Sequence, residues 1–328
     1  MKVIITGGTG FIGIRLAQKL ARIGELSSAT GERQAIDELV LFDSQDSATA
    51  LPDAPFLIRN VIGDIGDREA VTQLIDRDNV SVFHLASVVS GGGEQDFDLA
   101  MHVNLDGGRN VLEALRARNG LPRLVFASSV AAFGGSAMPS TVGDQTKQTP
   151  QTTYGITKVI LELLINDYTR KGFIDGRTAR LPTVIIRPGK PNAAASSFVS
   201  GVFREPLNGV DFTLPVPADT TMPVLGYRAI VDGLLLLHEI DGARLGDDRA
   251  IGLPSHTVTA QGMIDALHRV AGDRALGRIS VEPDPFVVDI CRTWPQSCES
   301  DRADALGFPR DDGIDAIVRN YIEDYLPG

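Results

Sequence analysis

Tyr154 and Lys158 stand four residues apart in the run Tyr154-Gly155-Ile156-Thr157-Lys158. On a helix that spacing puts a phenol and an ammonium on one face. A free phenol, with a pKa of about 10, is a poor base at neutral pH. A neighbouring cation favours the phenolate, which could then take a proton from a hydroxyl group as hydride leaves the same carbon. Ser129, 25 residues before Tyr154, offers a hydroxyl that could bond the reacting oxygen. Ser129, Tyr154 and Lys158 are therefore the candidate catalytic residues, with Ser129 and Tyr154 touching substrate.

Hydride needs an acceptor, and the N-terminus is suited to hold one. Gly7-Gly8-Thr9-Gly10-Phe11-Ile12-Gly13 follows the apolar run Val3-Ile4-Ile5 and opens a helical pattern. That context marks a dinucleotide-binding loop. Gly7 permits a tight turn, Gly10 lets backbone approach a pyrophosphate, and Gly13 allows close helix–strand packing. Amides of the first helical turn, at Phe11 and Ile12, favour the anion. Asp43 ends the second apolar run, 30 residues after Gly13. A carboxylate there accepts from ribose hydroxyls and repels a 2′-phosphate, which favours NAD over NADP. The interval exceeds the usual spacing because of polar residues 25–37, expected to be a surface loop. Asp64 is expected to bond the adenine amino group, and Ile65 to pack on the ring. Leu85, Ala86 and Ser87 end a further strand beside the cofactor, and Asn104 lies on the helix that follows. His84 has the character of a packed, hydrogen-bonded histidine.

Behind these residues the chain alternates apolar runs and helical patterns. Strands are expected at 3–6, 39–42, 56–59, 80–85, 124–127 and 183–187, and helices at 11–23, 68–76, 97–118 and 153–171. The alternation predicts an α/β fold, a Rossmann-type doubly wound parallel sheet covered on both faces. Residues 188–225 are rich in Pro, Gly, Ser and Asn. A helix follows at 229–239, a strand at 250–253, and helices at 259–270 and 315–325. Residues 1–189 plus 226–256 are expected to form the dinucleotide-binding domain. Residues 190–225 plus 257–328 are expected to form a smaller lobe over the carboxyl edge of the sheet, where ligands bind in such folds.

The 328 residues carry a formal net charge of −11, which argues against nucleic acid or an anionic membrane as partner. An acidic substrate then needs a local cation. Two cysteines, Cys291 and Cys298, match no metal-ligand spacing, and no metal is expected. They are read as free thiols in a reducing compartment. No signal-peptide pattern opens the chain and no apolar run spans a membrane, so a cytoplasmic location is expected.

The glycine loop, Asp64-Ile65, His84-Leu85-Ala86, Asn104, Ser128-Ser129, Tyr154-xxx-Lys158 and Arg187-Pro188-Gly189 occur in the order of the extended short-chain dehydrogenase/reductase family. The chain resembles that family, whose members include nucleotide-sugar epimerases and dehydratases. The resemblance implies that Ser129, Tyr154 and Lys158 carry catalysis. It also implies that Lys158 holds the nicotinamide ribose and that Pro188 and Gly189 lie near the nicotinamide amide. Homodimers through a four-helix interface are common in it, here from helices 97–118 and 153–171. Two departures bear on substrate. Phe133 stands where epimerases and dehydratases usually carry tyrosine, and Val130-Ala131-Ala132 supplies no acid for elimination of water. The segment from Arg187 to Leu207, and the loop from Ser87 to Glu94, resemble those of a D-erythronate-oxidising group within the family. That resemblance implies NAD-dependent oxidation of the C2 hydroxyl of a small sugar acid. Asn192, Ser196 and Ser197 are then expected to bond hydroxyls, and Arg204 to grip the carboxylate with two parallel bonds. The alternatives are a nucleotide-sugar epimerase or dehydratase that retains NAD, and a non-catalytic NAD-binding protein.

Overall fold

The computed structural model describes residues 1–46, 49–50, 53–190 and 196–326. The sheet strands are β1 (Lys2–Thr6), β2 (Glu38–Asp43), β3 (Leu57–Ile62), β4 (Val80–His84), β5 (Arg123–Ser129) and β6 (Asp175–Leu181). Its last strand, Ala250–Gly252, is β9, numbered after two strands of a second sheet: β7 (Thr183–Ile185) and β8 (Thr221–Gly226). The order across the large sheet is β3-β2-β1-β4-β5-β6-β9, all parallel. The order reverses between β1 and β4. A crevice forms there outside the carboxyl ends of the two strands, where such sheets bind ligands.

Each central strand is apolar on both faces, as a covered parallel sheet demands. Val3 and Ile5 of β1 pack into one core with Leu39 and Leu41, and Ile4 packs into the other with Val40 and Phe42. Helices α1 (Phe11–Ile23) and α6 (Tyr227–Glu239) cover the first face. Helices α2 (Arg68–Leu74), α3 (Gly107–Arg116) and α4 (Thr153–Arg170) cover the second. A third core joins α5 (Ser197–Leu207), α7 (Ala260–Ala271) and α8 (Ile314–Tyr325) to the small sheet. That sheet is β7-β8-β10, with β10 at His256–Thr259. Among the described residues no helix is long and apolar enough to cross a membrane.

Four sequence expectations need correction. Residues 25–37 are not a plain loop, because Glu25–Ser27 pairs with Arg33–Ala35 as an antiparallel hairpin anchored by buried Leu26. The helix at 97–118 is composite, with a wide π-helical segment, Met101–Asp106, between Phe97–Ala100 and α3. β6 was absent from the expected strands. Its Arg177 and Arg180 interrupt any apolar run, and both are buried against Asp175 and Glu162. The strand at 183–187 belongs to the small sheet, not the large one.

Candidate active site

The glycine loop is built as its spacing requires. Gly7 has φ +68, and a Cβ there would meet the Ala86 backbone at 2.8 Å. Gly13 lies against the Gly7 and Gly8 carbonyls, with no room for a side chain. Gly10 is the N-cap of α1, and no side chain caps that helix. Phe11 and Ile12 of its first turn line the site cavity beside Gly7, Gly10 and Gly13. An uncapped helix N-terminus opening on a glycine-walled cavity fits a bound pyrophosphate.

Asp43 ends β2, where its carboxylate accepts hydrogen bonds from the amides of Thr9 (3.1 Å) and Ser44 (2.8 Å). It thus ties the strand to the glycine loop. Asp64 accepts from the Gly66 amide at 2.8 Å and pairs with His102 at 2.7 Å, a bond that holds its carboxyl below the usual range. Ile65 is buried beneath α3, close to Gly107. Leu85 lines the cavity, and the Ala86 amide donates to Thr6 Oγ1. Asn104, in the π-helical segment, spends its side chain on the adjoining loop. Its Oδ1 accepts from Ser87 Oγ (3.0 Å) and the Val88 amide (2.7 Å), while Nδ2 donates to the Val88 carbonyl (3.0 Å). A wide helical turn often marks such a functional position.

Ser129 ends β5 and caps the short turn that follows, its Oγ accepting from the Ala131 amide at 3.1 Å. Tyr154 lies in the first turn of α4, whose cap is Thr152. Gly155 brings the two together: a Cβ there would overlap the Ala131 carbonyl, so only glycine lets α4 dock on the turn after Ser129. Both side chains line the cavity. Burial raises the Tyr154 pKa, opposed by a hydrogen bond with Ser129. Lys158 Nζ donates to the Ala127 carbonyl at 2.8 Å and lies 5.2 Å from the centre of the Tyr154 ring. Burial lowers its pKa to about 7, opposed by Glu162.

Glu162 is a site residue that the sequence reading missed. It accepts from Ser128 Oγ, from Gln148 Nε2 (2.7 Å) and from Arg180 Nη2 (2.8 Å), joining the ends of β5 and β6 to α4. Its position four residues after Lys158, on the same helix face, was the available signal. His84 is stacked on Phe126 and bonded to Thr6 Oγ1 at 2.7 Å, as expected of a packed histidine.

The cavity is about 370 Å³ and runs from the glycine loop, past Ser129 and Tyr154, to a far wall that includes Thr221, Met222, Trp294 and Pro295. The wall residues lie far apart in sequence and had no local signal. No Asp or Glu lines it among the described residues, and Arg187 is its one charged side chain. Arg204 does not fill its expected place. It is buried away from the cavity, with Nε on Glu205 at 2.9 Å and Nη1 on the Arg187 carbonyl at 2.9 Å. Its charge is already compensated, so the expectation that it grips a carboxylate is withdrawn. Ser196 lines the cavity, Ser197 begins α5 outside it, and Asn192 lies outside the described residues. Pro188 and the exposed Gly189 follow Arg187 without lining the cavity. Cys291 and Cys298 are free thiols, and burial pushes each up to about 12.

Residues 3–244 match the family described as NAD dependent epimerase/dehydratase. The chain belongs to that family. Among curated members of the NAD dependent epimerase/dehydratase family it is similar to D-erythronate dehydrogenase of Cupriavidus necator, at 48% identity over 99% of this chain and 98% of that one. D-erythronate dehydrogenase of Haemophilus influenzae is 39% identical over 98% and 99% of the two chains. A solved family structure, described as a nucleoside-diphosphate-sugar epimerase from Agrobacterium tumefaciens, superposes with a TM-score of 0.92. It is 36% identical, covering 99% of this chain and 94% of that one.

Proposed function

We propose that this chain is an NAD-dependent dehydrogenase that oxidises the C2 hydroxyl of a small sugar acid, D-erythronate or a close relative, to the 2-keto acid. The observation that carries the reading is the cavity. It sets two hydroxyls beside the glycine loop, closes the far side with Trp294 and Pro295, and holds one cation and no acid among the described residues. A compact anion suits that space, and elimination of water finds no acid catalyst in it. The 48% identity to a D-erythronate dehydrogenase supports the same substrate.

The amides of residues 10–13 would hold the pyrophosphate of NAD, Asp43 would accept from the adenosine ribose, Asp64 and Ile65 would meet the adenine, and Leu85 to Ser87 would flank the cofactor. Lys158 holds the nicotinamide ribose, and Pro188 and Gly189 lie near the amide. The bound cofactor supplies the hydride acceptor. Ser129 Oγ orients the C2 oxygen, and Tyr154 Oη takes the hydroxyl proton and passes it to solvent. The C2–H bond gives up its electron pair as hydride, and the C2–O bond becomes a carbonyl. Apolar residues stand exposed on the expected dimer helices, namely Phe97 on the first and Ile156 and Leu163 on α4. They support a homodimer, and a sedimentation mass of one chain would reject it.

A second reading, nucleotide-sugar epimerase, is favoured by the description of the similar Agrobacterium protein. Absorbance separates the two. The purified chain is expected to accumulate NADH with D-erythronate. Silence with every aldonate, together with turnover of a nucleotide sugar without net NADH, would instead establish the epimerase.

A further inference from the structure

We propose that Arg187 is the carboxylate-binding residue of this cavity, and that it confines the substrates to small 2-hydroxy acids. The inference rests on the dehydrogenase reading above.

No other cation lines the cavity among the described residues. Lys158 is tied to the Ala127 carbonyl and lies outside the cavity lining. Arg180 is paired with Glu162, Arg204 with Glu205, and Arg228 with Asp324 and Glu323. Arg187 alone brings charge to the wall, and it has no carboxylate partner among the described residues. Its backbone is fixed from two sides, the amide donating to Ser200 Oγ at 3.0 Å and the carbonyl accepting from Arg204 at 2.9 Å. One guanidinium nitrogen, Nη1, donates to the Lys190 carbonyl at 2.9 Å, which steadies the side chain. A guanidinium offers five N–H donors in a planar fork, so capacity remains for a carboxylate held by two parallel bonds.

The surrounding charges require such a group. Against a largely apolar wall an unpaired carboxylate is disfavoured. The chain as a whole is acidic, so its overall field does not favour an anion. Arg204, buried behind the Arg187 backbone, is paired with Glu205 and lies outside the cavity lining. It acts as a strut that fixes Arg187.

The test compares D-erythronate with its neutral amide, D-erythronamide, in the wild type, Arg187→Gln and Arg187→Lys. With D-erythronate, kcat/KM of Arg187→Gln is expected to fall about 10- to 100-fold, chiefly through KM. The amide, slow in the wild type, is expected to be unchanged. Arg187→Lys should recover part of the loss, because charge returns without the fork. A second readout needs no turnover: in a Tyr154→Phe background with NAD, D-erythronate should raise the melting temperature, and adding Arg187→Gln should abolish that rise while the rise caused by NAD persists. A variant within twofold of wild-type KM for D-erythronate, or one that loses acid and amide equally, overturns the role of Arg187 alone. A wild type that oxidises no 2-hydroxy acid overturns the dehydrogenase reading, and Arg187 as its carboxylate site with it.

Discussion

In the proposed reaction Tyr154 loses a proton where burial disfavours the resulting charge. Burial favours the neutral phenol, and it also favours the neutral amine of Lys158, held at about 7. Moving one proton within the pair gives phenolate beside ammonium with no change in net charge. Glu162, which raises the Lys158 pKa, biases the pair toward that state. Tyr154→Phe keeps the ring and removes the proton acceptor. Turnover should fall about 10²- to 10⁴-fold, with NAD affinity nearly unchanged by calorimetry. Turnover within a few-fold of wild type would reject Tyr154 as the base. The placement of Tyr154, Lys158 and the glycines was legible in the sequence, because it depends on neighbours within one helical turn or one tight loop. The place of Arg187 in the cavity was hidden, since it depends on a wall assembled from distant segments.

At the scale of elements, the proposed catalysis depends on how closely α4 meets the end of β5. Gly155 sets that approach, and Glu162 fastens the same helix to β5 and β6. Gly155→Ala forces a methyl group against the Ala131 carbonyl, and neither backbone can yield cheaply. Overpacking of this kind typically costs about 1–3 kcal/mol. The variant should melt at lower temperature and lose turnover more than NAD affinity, because Tyr154 is displaced from Ser129. Wild-type melting and turnover in Gly155→Ala would contradict the docking account. The elements legible in advance were those with continuous apolar runs, such as β1 and β2. β6 was not, because its burial relies on ion pairs: Arg177 and Arg180 enter the interior only with Asp175 and Glu162 beside them.

At the scale of the whole molecule, the sheet reverses its order between β1 and β4, and the two cores fix the strands around that point. Two histidines are sealed into this framework in neutral form. Burial lowers His84 to about 3 and His238 to about 4. The unfolded chain takes up these protons below a pH of about 6.5, while the folded chain resists until its own lower values. Stability should therefore decline as pH falls from about 6.5 toward 4, and His84→Gln should flatten part of that slope. A melting temperature steady from about pH 7 to 4.5 would contradict it. The central claim, oxidation at C2, is tested most directly by isotope transfer. D-erythronate carrying deuterium at C2 is incubated with the enzyme and NAD, and the recovered NADH is read by NMR. Deuterium at C4 of the nicotinamide is the result expected. NADH without deuterium, or C2 deuterium retained in the product, would contradict the account.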